Sequence, residues 1–435
     1  MKRTRSFYVG VGLVTAVGVL AGLQFVLQTK ASAQGMQAGV YQVDPMWPKP
    51  LPNHWVLGAT VGLSVDSHDH VWIVHRGIAN QDPKLFSQEV FPPAAPRGGG
   101  AGAARGARAG GGAAAPAAPA PAAGRDAAAG EVAATGEKPI SDLCCKAAPP
   151  VLEFDPDGNL VSHWGAPGAG YEWPRSMHGI TVDAKDNVWL AGNSGNTVQK
   201  FSKDGKFLLQ VGKNGASKGN ADTENFNNPA EVSIDEAANE VYVADGYGNR
   251  RVIVIDATTG KFKRMWGAYG KPPVDMGPNV AYDPTKTMAD YQYFQVVHCA
   301  TLANDGLVYV CDRNHNRIQI FRKDGTYVKE TQISRRTLGD GVTFDVAFSK
   351  DQAQRLMYVA DGADHRIWQL LREPLTVLNH IGDGGRYPGQ FYAIHNVSLD
   401  SKGNIYTTET YTGARLQKFS YKGLGPVATP EGPHN

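Results

Sequence analysis

HGITVDAKDNVWLAGN, residues 178–193, is a short β-branched run, a polar turn and a second alternating run, which is the pattern of an antiparallel hairpin. The same pattern returns as VGLSVDSHDHVWIVHRG (61–77), AEVSIDEAANEVYVADG (230–246), HCATLANDGLVYVCDR (298–313), FDVAFSKDQAQRLMYVADG (344–362) and HNVSLDSKGNIYTTET (395–410). A second hairpin follows most of them, built around Asp-Gly or Thr-Gly, as in VLEFDPDGNLVSHWG (151–165), VQKFSKDGKFLLQVG (198–212), VIVIDATTGKFKRMWG (252–267) and RIQIFRKDGTYVKE (317–330). Four strands per unit, repeated at about 45 to 70 residues, predict the blades of a propeller, and six units predict six blades. A β-helix needs shorter and more uniform repeats, and a sandwich shows none. The fold class is therefore all-β, a six-bladed β-propeller over residues 40–425. A strand candidate at Val40 to Val43 precedes the first unit and is expected to complete the last blade, so that no sheet edge is left free.

Two segments fall outside the repeats. Lys2, Arg3 and Arg5 precede an apolar run from Phe7 to about Leu27 and the small residues Ala31-Ser32-Ala33, the layout of a secretory signal over residues 1–33. The run is long enough to span a bilayer once if it is not cleaved, but Gly12, Gly18 and Gly22 weaken it as a helix. An exported protein, secreted or periplasmic, is expected, with the membrane involved only if the segment is retained. Residues 92–136 are almost entirely Ala, Gly and Pro with a few Arg, too poor in apolar side chains to offset their ordering entropy, and read as a disordered insert within the propeller.

The charges nearly cancel, 43 Lys and Arg against 41 Asp and Glu. Loss of residues 1–33 removes four cations and no acid, taking the formal charge from +2 to −2. No basic block lies in the repeats, so nucleic acid is not an expected partner; a monomer acting on a small-molecule or peptide substrate is. Four cysteines, Cys144, Cys145, Cys299 and Cys311, make neither a disulfide scaffold nor a CxxC site. Pairing Leu302 with Val308, as in the other units, sets Cys299 across from Cys311. Export permits a bond there, but the strain of cross-strand bridges favours two buried thiols.

Aligned by their turns, the six units begin with Val61, His178, Ala230, His298, Phe344 and His395. Histidine stands in alternate blades. The first strand of a blade lines the axis, so blades two, four and six lie about 120° apart and their first residues face one another. Three neutral imidazoles converging this way form a tripod with an open fourth position, as in a catalytic zinc site. Ordinary inner-strand histidines are the alternative; chance alone puts three on one register of six about once in a few thousand draws at this composition. Zinc is favoured because no carboxylate or sulfur joins the register. The loop after each second strand stands beside the histidines. Arg76 in blade one could hold a carboxylate or oxyanion there, and Tyr247 in blade three could move a proton.

The segments WPRSMHGITVDAKDNVWLAGN (173–193), QVVHCATLANDGLVYVCDRNHNRIQIF (295–321) and FYAIHNVSLDSKGNIYTTE (391–409), with VHRG (74–77) before them and VADGYGNRR (243–251) between them, resemble the peptidyl-α-hydroxyglycine α-amidating lyases, a branch of the NHL-repeat propellers. The resemblance spans about residues 55 to 420 apart from the insert. It implies His178, His298 and His395 as zinc ligands, Arg76 as an active-site arginine and Tyr247 as the catalytic tyrosine. The implied reaction splits R-CO-NH-CH(OH)-COO⁻ into an amide and glyoxylate. A free tyrosine is a poor base at neutral pH, so the role assigned to Tyr247 needs zinc and Arg76 beside it.

The chain departs from the family at three points. An aspartate that helps hold a structural calcium is replaced by Asn396, which weakens calcium while leaving an amide oxygen as a ligand. Gly248 stands where the animal enzymes have a disulfide cysteine. The oxidising partner domain has no counterpart in this sequence. A lactonase-type hydrolase on the same tripod and a non-catalytic propeller that binds protein or glycan remain alternatives at this level.

Overall fold

Alternating runs joined by tight polar turns build six four-stranded antiparallel sheets, each one blade. The computed structural model describes residues 36–77, 146–275 and 280–427; the expected signal (1–33), the Ala/Gly/Pro segment (92–136), Cys144 and Cys145 lie outside them. Blade one holds Thr60–Val65, Val71–His75, Val151–Phe154 and Leu160–Trp164. Residues 78–145 therefore leave between its second and third strands, immediately after Arg76 and Gly77. Blades two to five follow in chain order, from Met177–Val182 to Thr376–Ile381.

Blade six is closed by the N-terminus, as the sequence predicts. Its strands Ile394–Leu399, Ile405–Glu409 and Arg415–Pro426 are completed by Gln37–Asp44, which pairs antiparallel with the last of them (Tyr41 with Tyr421, Val43 with Phe419). The first and last parts of the chain thus share one sheet, and the ring has no open seam between its ends.

The alternation puts the apolar residues of each sheet against the neighbouring blade. Cys299, Tyr309, Cys311 and Ile318 of blade four meet Val346, Met357, Val359 and Trp368 of blade five, and all are buried. One expectation is overturned in this layer. Cys299 and Cys311 pair across the hairpin as predicted, but they are bonded as a disulfide rather than free thiols. Their Cα atoms lie 4.9 Å apart, inside the range a disulfide spans, so the hairpin closes the bond without backbone displacement.

Candidate metal centre and the residues around it

Each site histidine is aimed by an interruption of its own strand. The pairing in blade two steps from Met177–Gly192 to Gly179–Ala191, leaving His178 as the extra residue of a β-bulge. His298 and His395 occupy the same position in blades four and six. A bulge turns its residue out of the pleat and ends regular pairing, and here it turns three imidazoles to the axis. The rings stand 4.7 to 4.8 Å apart between centroids, and the candidate ligand atoms of all three lie within 4.8 Å of one another. All three side chains are buried.

One nitrogen of each ring is committed. His178 Nδ1 lies 2.8 Å from the Ala230 carbonyl oxygen and His298 Nδ1 2.5 Å from that of Phe344. A carbonyl only accepts, so each Nδ1 carries the hydrogen and each Nε2 offers a lone pair to the axis. His395 Nδ1 is held by Asn396 Oδ1 at 2.8 Å, and that amide is fixed in turn by Thr408 Oγ1 and by donation to Asp345 Oδ2. Asn396 thus orients the third histidine. Burial, and then the neighbouring imidazole of His395, holds the pKa of His178 and His298 well below the usual histidine range, so both rings are neutral.

Tyr247 meets this group from blade three. Its hydroxyl lies 2.9 Å from His178 Nε2 and 3.1 Å from His298 Nε2. A phenol has one hydrogen, so it cannot donate to both lone pairs. A cation between the imidazoles would satisfy what a single hydroxyl cannot, and three imidazole nitrogens of this kind suit zinc. The residues present fit the metal. The loop carrying Tyr247 is held by hydrogen bonds from the Tyr247 and Gly248 amides to the Asn228 and Asn227 carbonyls and from Asn249 Nδ2 to Asp245. The Asn227 side chain occupies the space a Cβ on residue 248 would enter, 2.2 Å from that position, which accounts for glycine there.

Arg76 is placed on the same face, its Nε donating to the Met177 carbonyl at 3.2 Å, one residue before His178. Sequence reasoning missed Arg313. It is buried, its Nη1 donates to the Tyr247 hydroxyl at 3.0 Å, and its guanidinium lies over the rings of Tyr247 and Phe344 at 5.2 and 4.8 Å. The signal was present: His75 pairs with Thr60 and Asp312 with Val297, so Arg76 and Arg313 follow their second strands at equivalent points.

Residues 294–321, which contain His298 and Arg313, match the NHL repeat family. This chain carries an NHL repeat. NHL repeat-containing protein 3 of Homo sapiens is 27% identical over 184 residues, 40% of this chain and 46% of that protein. Peptidyl-alpha-hydroxyglycine alpha-amidating lyase 1 of Drosophila melanogaster is 28% identical over 276 residues, 58% of this chain and 47% of that protein. The chain therefore spans about half the length of these relatives. Among solved structures, a streptogramin B lyase aligns over 88% of this chain and 98% of its own, with 12% identity and a TM-score of 0.46.

Proposed function

We propose that the protein is an exported, zinc-dependent lyase that cleaves an α-hydroxyglycine-type carbinolamide into an amide and glyoxylate. The observation that carries the reading is the contact of one phenol, Tyr247, with two of three converging imidazoles and with a buried arginine. The similarity to amidating lyases supports the substrate class.

His178, His298 and His395 would hold the metal. When bound, zinc supplies a Lewis acid that makes a substrate hydroxyl easier to deprotonate. Tyr247, as the phenolate, takes the hydroxyl proton, the carbon–nitrogen bond breaks as the carbinol carbon becomes the aldehyde of glyoxylate, and the phenol so formed returns that proton to the amide nitrogen. Arg313 sets a positive charge beside the phenolic oxygen through that transfer. Arg76, next to His178, holds the substrate carboxylate. Calcium has no role in these steps.

The test is product identity. α-Hydroxyhippurate should yield benzamide and glyoxylate in equal amounts, while simple lactones should not be opened. Lactone hydrolysis without glyoxylate release would make the protein a hydrolase on the same tripod. Export rests on residues 1–33 and is checked by the N-terminal sequence of protein recovered outside the cytoplasm, expected to begin after Ala33.

A further inference from the structure

The histidines stand at the start of the inner strands, and at the far end of the same strands the first turns of blades five and six border a cavity of about 490 Å³. That volume lies in the range of small-ligand sites. The floor is aromatic: Tyr41 of the closing strand bonds Tyr358 through their hydroxyls at 2.7 Å and packs on Tyr421 with ring centroids 5.5 Å apart. Leu356, Leu371 and Leu399 complete the apolar part.

The mouth carries an excess of positive charge. Lys350, Arg355 and Lys402 line it against one acid, Asp351, which is already bonded to Arg355 Nε at 3.1 Å. Among the described residues no carboxylate comes within ion-pair distance of the Lys350 or Lys402 ammonium; the fields of Asp400 and, less, Asp69 reach Lys350, but Asp400 is hydrogen-bonded to Asn404 and Tyr406, and Asp69, which also reaches Lys402, has both oxygens bonded to Ser401. Two cations at the rim of an aromatic floor are complementary to one anionic head on an apolar body.

We propose that this cavity, on the face opposite the histidines, binds a small amphipathic carboxylate, its charge between Lys350 and Lys402 and its apolar part on Tyr41, Tyr358 and Tyr421. The site is independent of the lyase reading, because it shares no residue with the metal centre. The probe is 4-phenylbutyrate, compared with the neutral 4-phenyl-1-butanol by calorimetry on the full chain. One equivalent of the carboxylate should bind about tenfold more tightly than the alcohol. Lys350→Ala and Lys402→Ala should each weaken it about three- to tenfold, and both lysines are exposed, so the fold is not at risk. His298→Ala should leave this binding unchanged. Equal affinity for acid and alcohol, indifference to both lysine changes, or loss of binding in His298→Ala would overturn the proposal.

Discussion

Tyr247 and Arg313 divide the labour of the site in a way that substitution can separate. Phenylalanine at 247 keeps the ring beneath the Arg313 guanidinium and removes only the oxygen shared with His178 and His298. Tyr247→Phe is therefore expected to retain the metal and lose glyoxylate release by about 10²-fold or more, the usual scale for a proton-transfer group. Arg76→Ala should also retain metal but raise KM and lower kcat together, because a carboxylate clamp acts in both ground and transition states. If Tyr247→Phe keeps most of the rate, the base is misassigned. Arg313 escaped sequence reading because its contact with Tyr247 forms only when blades three and four meet. In the fold Asp312, the residue before it, is bonded by Arg317 Nε and His315 Nδ1, each at 2.8 Å.

The same strand position also sets a pH dependence. Asp312 is held by His315 and Arg317, and its pKa stays below the ordinary carboxylate value despite burial. Asp361 is its counterpart in blade five and is bonded to Trp368 Nε1 instead of a guanidinium, so burial pushes its carboxyl up to about 8. A carboxyl raised in the folded state binds more protons than in the unfolded chain. Its contribution is full in acid and is lost as pH rises towards 8. Buried neutral histidines act in the opposite sense only below about pH 6.5. Thermal stability should thus fall between pH 6.5 and 8, and Asp361→Asn should flatten that fall; an unchanged slope would assign it elsewhere.

The β-bulges are the device at the scale of single elements. Turn chemistry and alternation in the sequence locate the first hairpin of all six units and the second hairpin of four, yet a bulge depends on which carbonyl meets which amide, and no residue type announces it. The shared histidine register was legible, while the extra residue that turns each histidine to the axis became visible only in the pairing, and Val61 and Phe344 stand in equivalent bulges. The hairpin of blade four adds the Cys299–Cys311 bond between opposed residues. Alkylation of unfolded, unreduced protein should leave both cysteines unmodified. Cys299→Ala with Cys311→Ala should cost about 2 kcal/mol, towards the low end for a short loop already closed by pairing, with the metal retained. Modification of both cysteines without reductant would contradict the bond.

For the whole molecule, six repeats in sequence became six blades in space, and the early strand found its place beside the last. That much was legible because each blade is a local unit whose pattern does not depend on distant residues. The axis is different: His178, His298, His395, Tyr247 and Arg313 come from four blades and meet only when the ring closes. The most direct test of the account is zinc and glyoxylate measured on the same samples of wild type and His298→Ala. Wild type should carry about one zinc per chain and release glyoxylate from α-hydroxyhippurate, and His298→Ala should lose both together. Equal zinc in the two proteins, or a fully loaded wild type no faster than its metal-free form, would contradict it.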